Sequence, residues 1–210
     1  MRNLTEIRIS GFGGQGVILS AIVIGKAGCI FENGYSTMTQ SFGPEARGGA
    51  CSAQVILSDK PILYPYVTRP DILVTMSQEA YSLFTPQLKE DGILIIEQDL
   101  VRVENLPPGV RVYGVPATRL AEELGKRMVL NIVMVGFFAA LTNVLEPEAV
   151  RRAVADSVPE AFRELNLRAF DKGFEYGMKH LSTAISLAPI RHVPESPRLQ
   201  FYIFHFDAST

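Results

Sequence analysis

Apolar residues in the first half of the chain come in short runs cut by turn-forming residues. Ile7 and Ile9 alternate with polar neighbours, which predicts a short strand. Gly11-Phe12-Gly13-Gly14-Gln15-Gly16 follows, then an apolar run from Val17 to Phe31, interrupted by Lys26 and ended by Asn33-Gly34, which predicts a helix. Tyr35 to Phe42 predicts a second strand, and Ala50 to Leu57 a third; Gly43 to Gly49, with one Pro and three Gly, must be the loop between them. Ser58-Asp59-Lys60-Pro61 predicts a turn after which Ile62-Leu63-Tyr64 pairs back as a hairpin. Asp71 to Met76 and Ile93 to Ile96 are short apolar runs of the kind found in buried parallel strands, with a helix predicted over Gln78 to Leu88 between them. A Pro-rich turn from Asn105 to Gly109 leads into a strand over Val110 to Val115.

From Ala117 the pattern is helical, with segments Arg119 to Lys126, an apolar run to Leu145, Glu148 to Ser157 and Pro159 to His180. Pro147 and Pro159 stand near first-turn positions, where a missing N–H does little harm. Met128 to Leu145 carries no charge and is about long enough to span a bilayer, but Asn131, Gly136, Thr142 and Asn143 favour a buried helix. Strand–helix alternation followed by helices predicts an α/β fold, Rossmann-like, with a mostly parallel sheet flanked by helices, a helical C-terminal part and an extended tail. The predicted domain covers 1–181, and 182–210 forms the tail. Ala188 to Pro197 contains three Pro and predicts an extended linker; Leu199 to Phe206 alternates and is aromatic-rich, a terminal strand that docks on its own domain or on a partner chain.

Composition narrows the chemistry. The 210 residues include only 2 Cys, 3 His and no Trp. An iron–sulfur cluster needs four thiolates as a rule, so this chain holds none by itself, and no spacing suits a closed zinc site. His180, His192 and His205 all lie far along the chain from the Gly-rich segment. A formal net charge of −2 argues against nucleic acid as a main partner. Two Cys make no disulfide framework, and the polar start Met1-Arg2-Asn3-Leu4-Thr5-Glu6 has no signal-peptide apolar region; both fit a cytoplasmic setting without a membrane anchor.

The candidate chemistry is anion binding. Gly11, Gly13 and Gly16 fit G-x-G-x-x-G between a strand and a helix, where glycines permit the turn and the helix N-terminus offers free N–H groups to a phosphate. Close strand–helix packing with no ligand would use the same glycines. An NAD site also needs an acid at the end of the second strand, yet Glu32 precedes Asn33-Gly34 and so ends the helix. A second candidate loop is Glu45-Ala46-Arg47-Gly48-Gly49, with a guanidinium fork beside approachable backbone amides; the alternative is a structural turn with a surface Arg. Both loops would meet at the carboxyl edge of the sheet. No nucleophile elbow or Ser–His pair accompanies them, and Glu122-Glu123 reads as a solvated helix face. Loops without a catalytic group suggest a binding subunit of a larger catalyst, or a free-standing nucleotide-binding protein.

Three segments together carry a family resemblance: Gly11-Phe12-Gly13-Gly14-Gln15-Gly16, then Thr39-Gln40-Ser41-Phe42-Gly43-Pro44-Glu45-Ala46-Arg47-Gly48-Gly49, then Tyr64-Pro65 and Pro70-Asp71. In that order they resemble the gamma subunit of 2-oxoacid:ferredoxin oxidoreductases, over about Ile7 to His180, with Gly125 to Gly136 and its Asn131 resembling a later family helix. The resemblance implies a 2-oxoacid decarboxylated on thiamine diphosphate, electrons passed through iron–sulfur clusters to ferredoxin, and the acyl group delivered to coenzyme A. It places thiamine diphosphate, Mg and the clusters in alpha, beta and ferredoxin-like delta subunits, and coenzyme A at a shared site. Gly11, Gly13, Gly14, Gln15, Gly16, Ser41, Arg47, Gly48 and Gly49 are the implied coenzyme A residues, with no catalytic or metal-ligating group on this chain. Ser41 to Ala53 looks most like the 2-oxoglutarate branch; pyruvate and branched-chain enzymes carry similar domains. The tail from Ala184 to Thr210 goes beyond the family pattern and is a candidate docking arm.

Overall fold

The computed structural model describes residues 4–42 and 50–187. The predicted tail strand and linker, and the loop with Arg47, Gly48 and Gly49, lie outside the described residues.

Six strands form one sheet: β1 (Thr5–Phe12), β2 (Tyr35–Phe42), β3 (Ala50–Ser58), β4 (Ile72–Thr75), β5 (Ile93–Glu97) and β6 (Arg111–Val115), in the order β2-β3-β1-β4-β5-β6. Pairings from β1 through β4 and β5 to β6 are parallel, whereas β3 is antiparallel to both neighbours. Five strands therefore share one direction, as the runs of buried apolar residues predict. The predicted hairpin after β3 is a correction: no strand lies between Ser58 and Ile72. Both edges of β3 are already paired, by β1 and β2, and Pro61 and Pro65 have no N–H to donate to a ladder.

Alternation along the strands sorts residues to two faces. Ile7 and Ile9, Ile72 and Val74, Ile93 and Ile95, and Val55 and Leu57 point into the main core. That core is closed by α1 (Val17–Lys26), which continues as a π-helical turn to Phe31, by α3 (Ala117–Glu122), α4 (Leu130–Thr142) and α5 (Pro147–Ser157), and by α6 (Glu160–Leu187). Leu73, Leu94 and Ile96 point to the other face, where α2 (Gln78–Phe84) and the chain around Val101 make a smaller core. Ser77 starts α2 by accepting a bond from the Ala80 N–H at 3.2 Å. Pro147 sits at the first position of α5, as predicted.

The charge-free stretch is the buried helix that the sequence predicts: Leu130 to Leu141 are all buried. No helix among the described residues is long and apolar enough to cross a membrane. What the pattern does not predict is how closely α4 and α6 cross. A Cβ added at Gly136 would stand 2.1 Å from the Phe170 carbonyl oxygen, and one at Gly173 2.0 Å from that of Val133. Helix α6 runs on to Leu187, past Leu181, where the sequence puts the end of the domain.

Candidate functional site

Strand β1 delivers the Gly-rich turn to the carboxyl edge, at the switch point where β1 feeds a helix on one face and its parallel neighbour β4 feeds α2 on the other. The turn is tied down by Gln15. Its Oε1 accepts from the Phe12 N–H at 2.6 Å, and its Nε2 donates to the Met76 carbonyl at 2.9 Å, across the crevice between β1 and β4. Gln15 is thus engaged inside the protein, and Gly11 makes room for it: a Cβ there would meet Gln15 Oε1 at 2.6 Å.

Gly16 is held from the other side. Its φ is +74°, and a Cβ would lie 2.5 Å from the Asn131 Cγ. Its carbonyl accepts from the Ser20 N–H at 3.0 Å, the Ser20 hydroxyl at 3.1 Å and the Asn131 amide at 3.3 Å. Asn131, at the start of α4, is buried, so α4 fixes where α1 begins. Gly13 and Gly14 are different: a Cβ at either meets nothing within 4 Å. Backbone here lies open to solvent at the start of α1, whose first turn contains no acidic residue to neutralise the positive end of the helix dipole. Open amides plus an uncompensated helix N-terminus suit a phosphate or other anion.

The second loop leaves and re-enters the sheet at the same edge. Phe42 of β2 pairs with Cys51, which pairs with Gly11, and Ala50 pairs with Phe12. Ser41 is exposed and in register with Ser52 and Ser10, about 10 Å across two strand spacings from β1. The described residues therefore bring Gly11, Gly13, Gly14, Gln15 and Gly16 together and put Ser41 on the same edge. Glu32 is elsewhere: its carboxylate accepts from the Glu146 N–H at 2.6 Å, bracing the turn before α5. β3 occupies the place beside β1 where a dinucleotide fold puts its acid-bearing strand.

An apolar groove of about 150 Å³ adjoins the turn, between Leu19, Asn131, Met128, Phe162 and Leu165. Sequence pattern missed it, because its walls come from α1, the start of α4 and α6. Cys51 is buried, and burial pushes its thiol pKa up, so it is no ready nucleophile. The two thiols are set apart, Cys51 at the carboxyl end of the sheet and Cys29 exposed in the turn after α1, and no group of three or more His, Cys, Asp or Glu converges among the described residues. These residues do not fit an iron–sulfur cluster.

Residues 6–176 match the family described as pyruvate ferredoxin/flavodoxin oxidoreductase. The chain belongs to that family. Among similar proteins, 2-oxoglutarate synthase subunit KorC of Methanocaldococcus jannaschii is 46% identical over 172 residues, covering 81% of this chain and 92% of that one. The crystal structure of a keto/oxoacid ferredoxin oxidoreductase gamma subunit from Geobacter sulfurreducens superposes with a TM-score of 0.73 at 40% identity, over 83% of this chain and 99% of that one. A third similar protein is the 2-oxoglutarate:ferredoxin oxidoreductase of Magnetococcus marinus, solved with 2-oxoglutarate, coenzyme A and succinyl-CoA bound; TM-score 0.71, 25% identity, covering 93% of this chain but 34% of that one. The chain is thus a ferredoxin oxidoreductase family domain, similar over most of its length to a protein named as a subunit.

Proposed function

We propose that this chain is the gamma subunit of a cytoplasmic 2-oxoglutarate:ferredoxin oxidoreductase and that its carboxyl edge helps to hold coenzyme A. The observation that carries the subunit reading is the near end-to-end match to a 2-oxoglutarate synthase subunit of similar length. Alpha and beta chains, and a ferredoxin-like delta chain, supply thiamine diphosphate, Mg and the clusters, and ferredoxin takes the electrons. Thiamine diphosphate in a partner supplies the decarboxylation chemistry. The present chain contributes position and charge. The amides of Gly13 and Gly14 and the first turn of α1 face the coenzyme A diphosphate, Gln15 and Asn131 keep that turn in shape, and Ser41, Arg47, Gly48 and Gly49 close the site from the second loop. Support for this part comes from the open backbone at Gly13 and Gly14 and the shared edge of the two loops.

Two measurements on the assembled complex test the reading. Turnover with 2-oxoglutarate is expected to exceed that with pyruvate or 2-oxoisovalerate; equal turnover would remove the branch assignment. Calorimetry with Arg47→Ala is expected to weaken coenzyme A binding about tenfold, from the loss of one charge-assisted contact. Unchanged affinity takes Arg47 out of the site.

A further inference from the structure

One segment is folded but covered by nothing. Residues 59–71 cross the face of the sheet opposite α1, beside β3 and β1, next to α2, which packs on β1 and touches β3 on that face. Leu63 is 95% exposed, Tyr64 62% and Tyr66 55%. From Pro61 to Thr68 there is no charged residue. Three large exposed apolar side chains thus fall within four positions of one segment, more than single exposed apolar residues that need no explanation.

The segment is also held in place. Val67 is buried; its N–H donates to Gln54 Oε1 at 2.8 Å, and its carbonyl accepts from Arg8 Nη2 at 3.0 Å. Arg8 is itself buried, donates to Gln87 through Nη1, and lies over the Phe84 ring at 4.9 Å. Pro61 and Pro65 stiffen the backbone on either side of Leu63 and Tyr64, and the rings of Tyr64 and Tyr66 meet edge to face at 5.5 Å. A rigid strap carrying exposed aromatic anchors loses little entropy on docking, and Tyr is among the residues that carry most interface energy.

We propose that the strap, through Leu63, Tyr64 and Tyr66, is the anchor by which this chain docks on the long subunit of its complex. That partner meets it with an apolar groove rimmed by acceptors for the two phenols. The inference rests on the subunit reading above. The choice of occupant follows from two similar proteins: in Magnetococcus marinus this fold is 34% of one longer chain, joined to the remainder, whereas in Methanocaldococcus jannaschii a protein matched over 92% of its length is named as a subunit.

The test is co-expression with the partner chains of the complex and purification through a tag on the long subunit. The double variant Leu63→Asp, Tyr64→Asp is expected to co-purify at less than one tenth of the wild-type stoichiometry. Alone it should melt at the wild-type temperature, because neither side chain is buried. Tyr64→Phe should assemble nearly as the wild type, and Phe162→Asp, at the apolar groove beside the Gly-rich turn, should assemble fully. Wild-type stoichiometry for the double variant overturns the proposal. So does a result in which Phe162→Asp releases the chain, or in which the strap variant only splits a dimer of this chain. A wild-type chain that fails to join the long subunit would instead remove the subunit reading itself.

Discussion

Two sets of glycines in this protein serve opposite ends. At the α4–α6 crossing, Gly136 and Gly173 are surrounded by backbone of the other helix, with no space for a methyl group. In the turn after β1, Gly13 and Gly14 have empty space around them. The first pair is demanded by packing; Gly14 is demanded by its φ of +94°, and Gly13 by nothing within the chain. A residue type that neither packing nor contact requires points to something outside the chain, and here that is consistent with a ligand approaching backbone amides. Gly16 stands between the two cases, since it combines a positive φ with the buried Asn131 above it.

Substitutions can break that contrast, beginning with the largest effect. Ala normally stabilises a helix interior by about 1 kcal/mol over Gly. At Gly173 the clash with the Val133 carbonyl should reverse the sign and cost about 3 kcal/mol, or roughly 6–12 °C in melting temperature. A melting temperature equal to or above wild type would mean that the helices are not in backbone contact. Gly16→Ala should cost about 2 kcal/mol, from strain at positive φ and from the contact with Asn131. Adding Asn131→Ala should recover less than half, because φ stays unfavourable; denaturant titration of both variants decides this.

Gly13→Ala should change stability by less than about 0.5 kcal/mol. The same variant in the assembled complex should still weaken coenzyme A binding by a few fold. An unchanged affinity would make the open turn a spacer and not a contact.

The smallest effect lies at the opposite edge, where Lys89 Nζ is 2.6 Å from Asp71 Oδ1 and 3.5 Å from Glu6. Partial burial would lower the Lys89 pKa, but the hydrogen bond and charge of Asp71, with Glu6, outweigh it and the pKa is raised. Such a group stabilises the fold fully below its unfolded pKa of about 10.4 and loses that contribution as pH rises through the folded value. The side chain is about a third exposed, so Lys89→Met should cost at most about 0.5 kcal/mol at pH 7. The gap from wild type should shrink above about pH 10.4.

Elements were legible where the local pattern is strong. Every predicted strand from Ile7 to Val115 is present except the hairpin at Ile62 to Tyr64, and the α/β class follows from their alternation with helices. The hairpin fails because β3 spends both its edges on β2 and β1, a fact of long-range pairing that Ile62-Leu63-Tyr64 does not encode. The turn Gly11 to Gly16 was legible as a motif. The engagement of Gln15 with Met76, 61 positions away, was not, nor was the pressure of Asn131 on Gly16. Nor was the close crossing of α4 and α6 at Gly136 and Gly173, whose opposing backbone lies more than 30 positions away.

What the sequence determined by itself is what hydrophobic period and turn chemistry control: which stretches become strands or helices, where the Gly-rich turn falls, and that too few thiolates exist for a cluster. Only the tertiary structure decided which partner each element meets. It set β3 between β2 and β1, pressed α4 against Gly16, and left the strap from Pro61 to Val67 held but uncovered. The reason is physical. Periodicity records which face of an element is apolar, whereas the choice among many compatible apolar faces is made by pairing and close packing of residues distant in the chain.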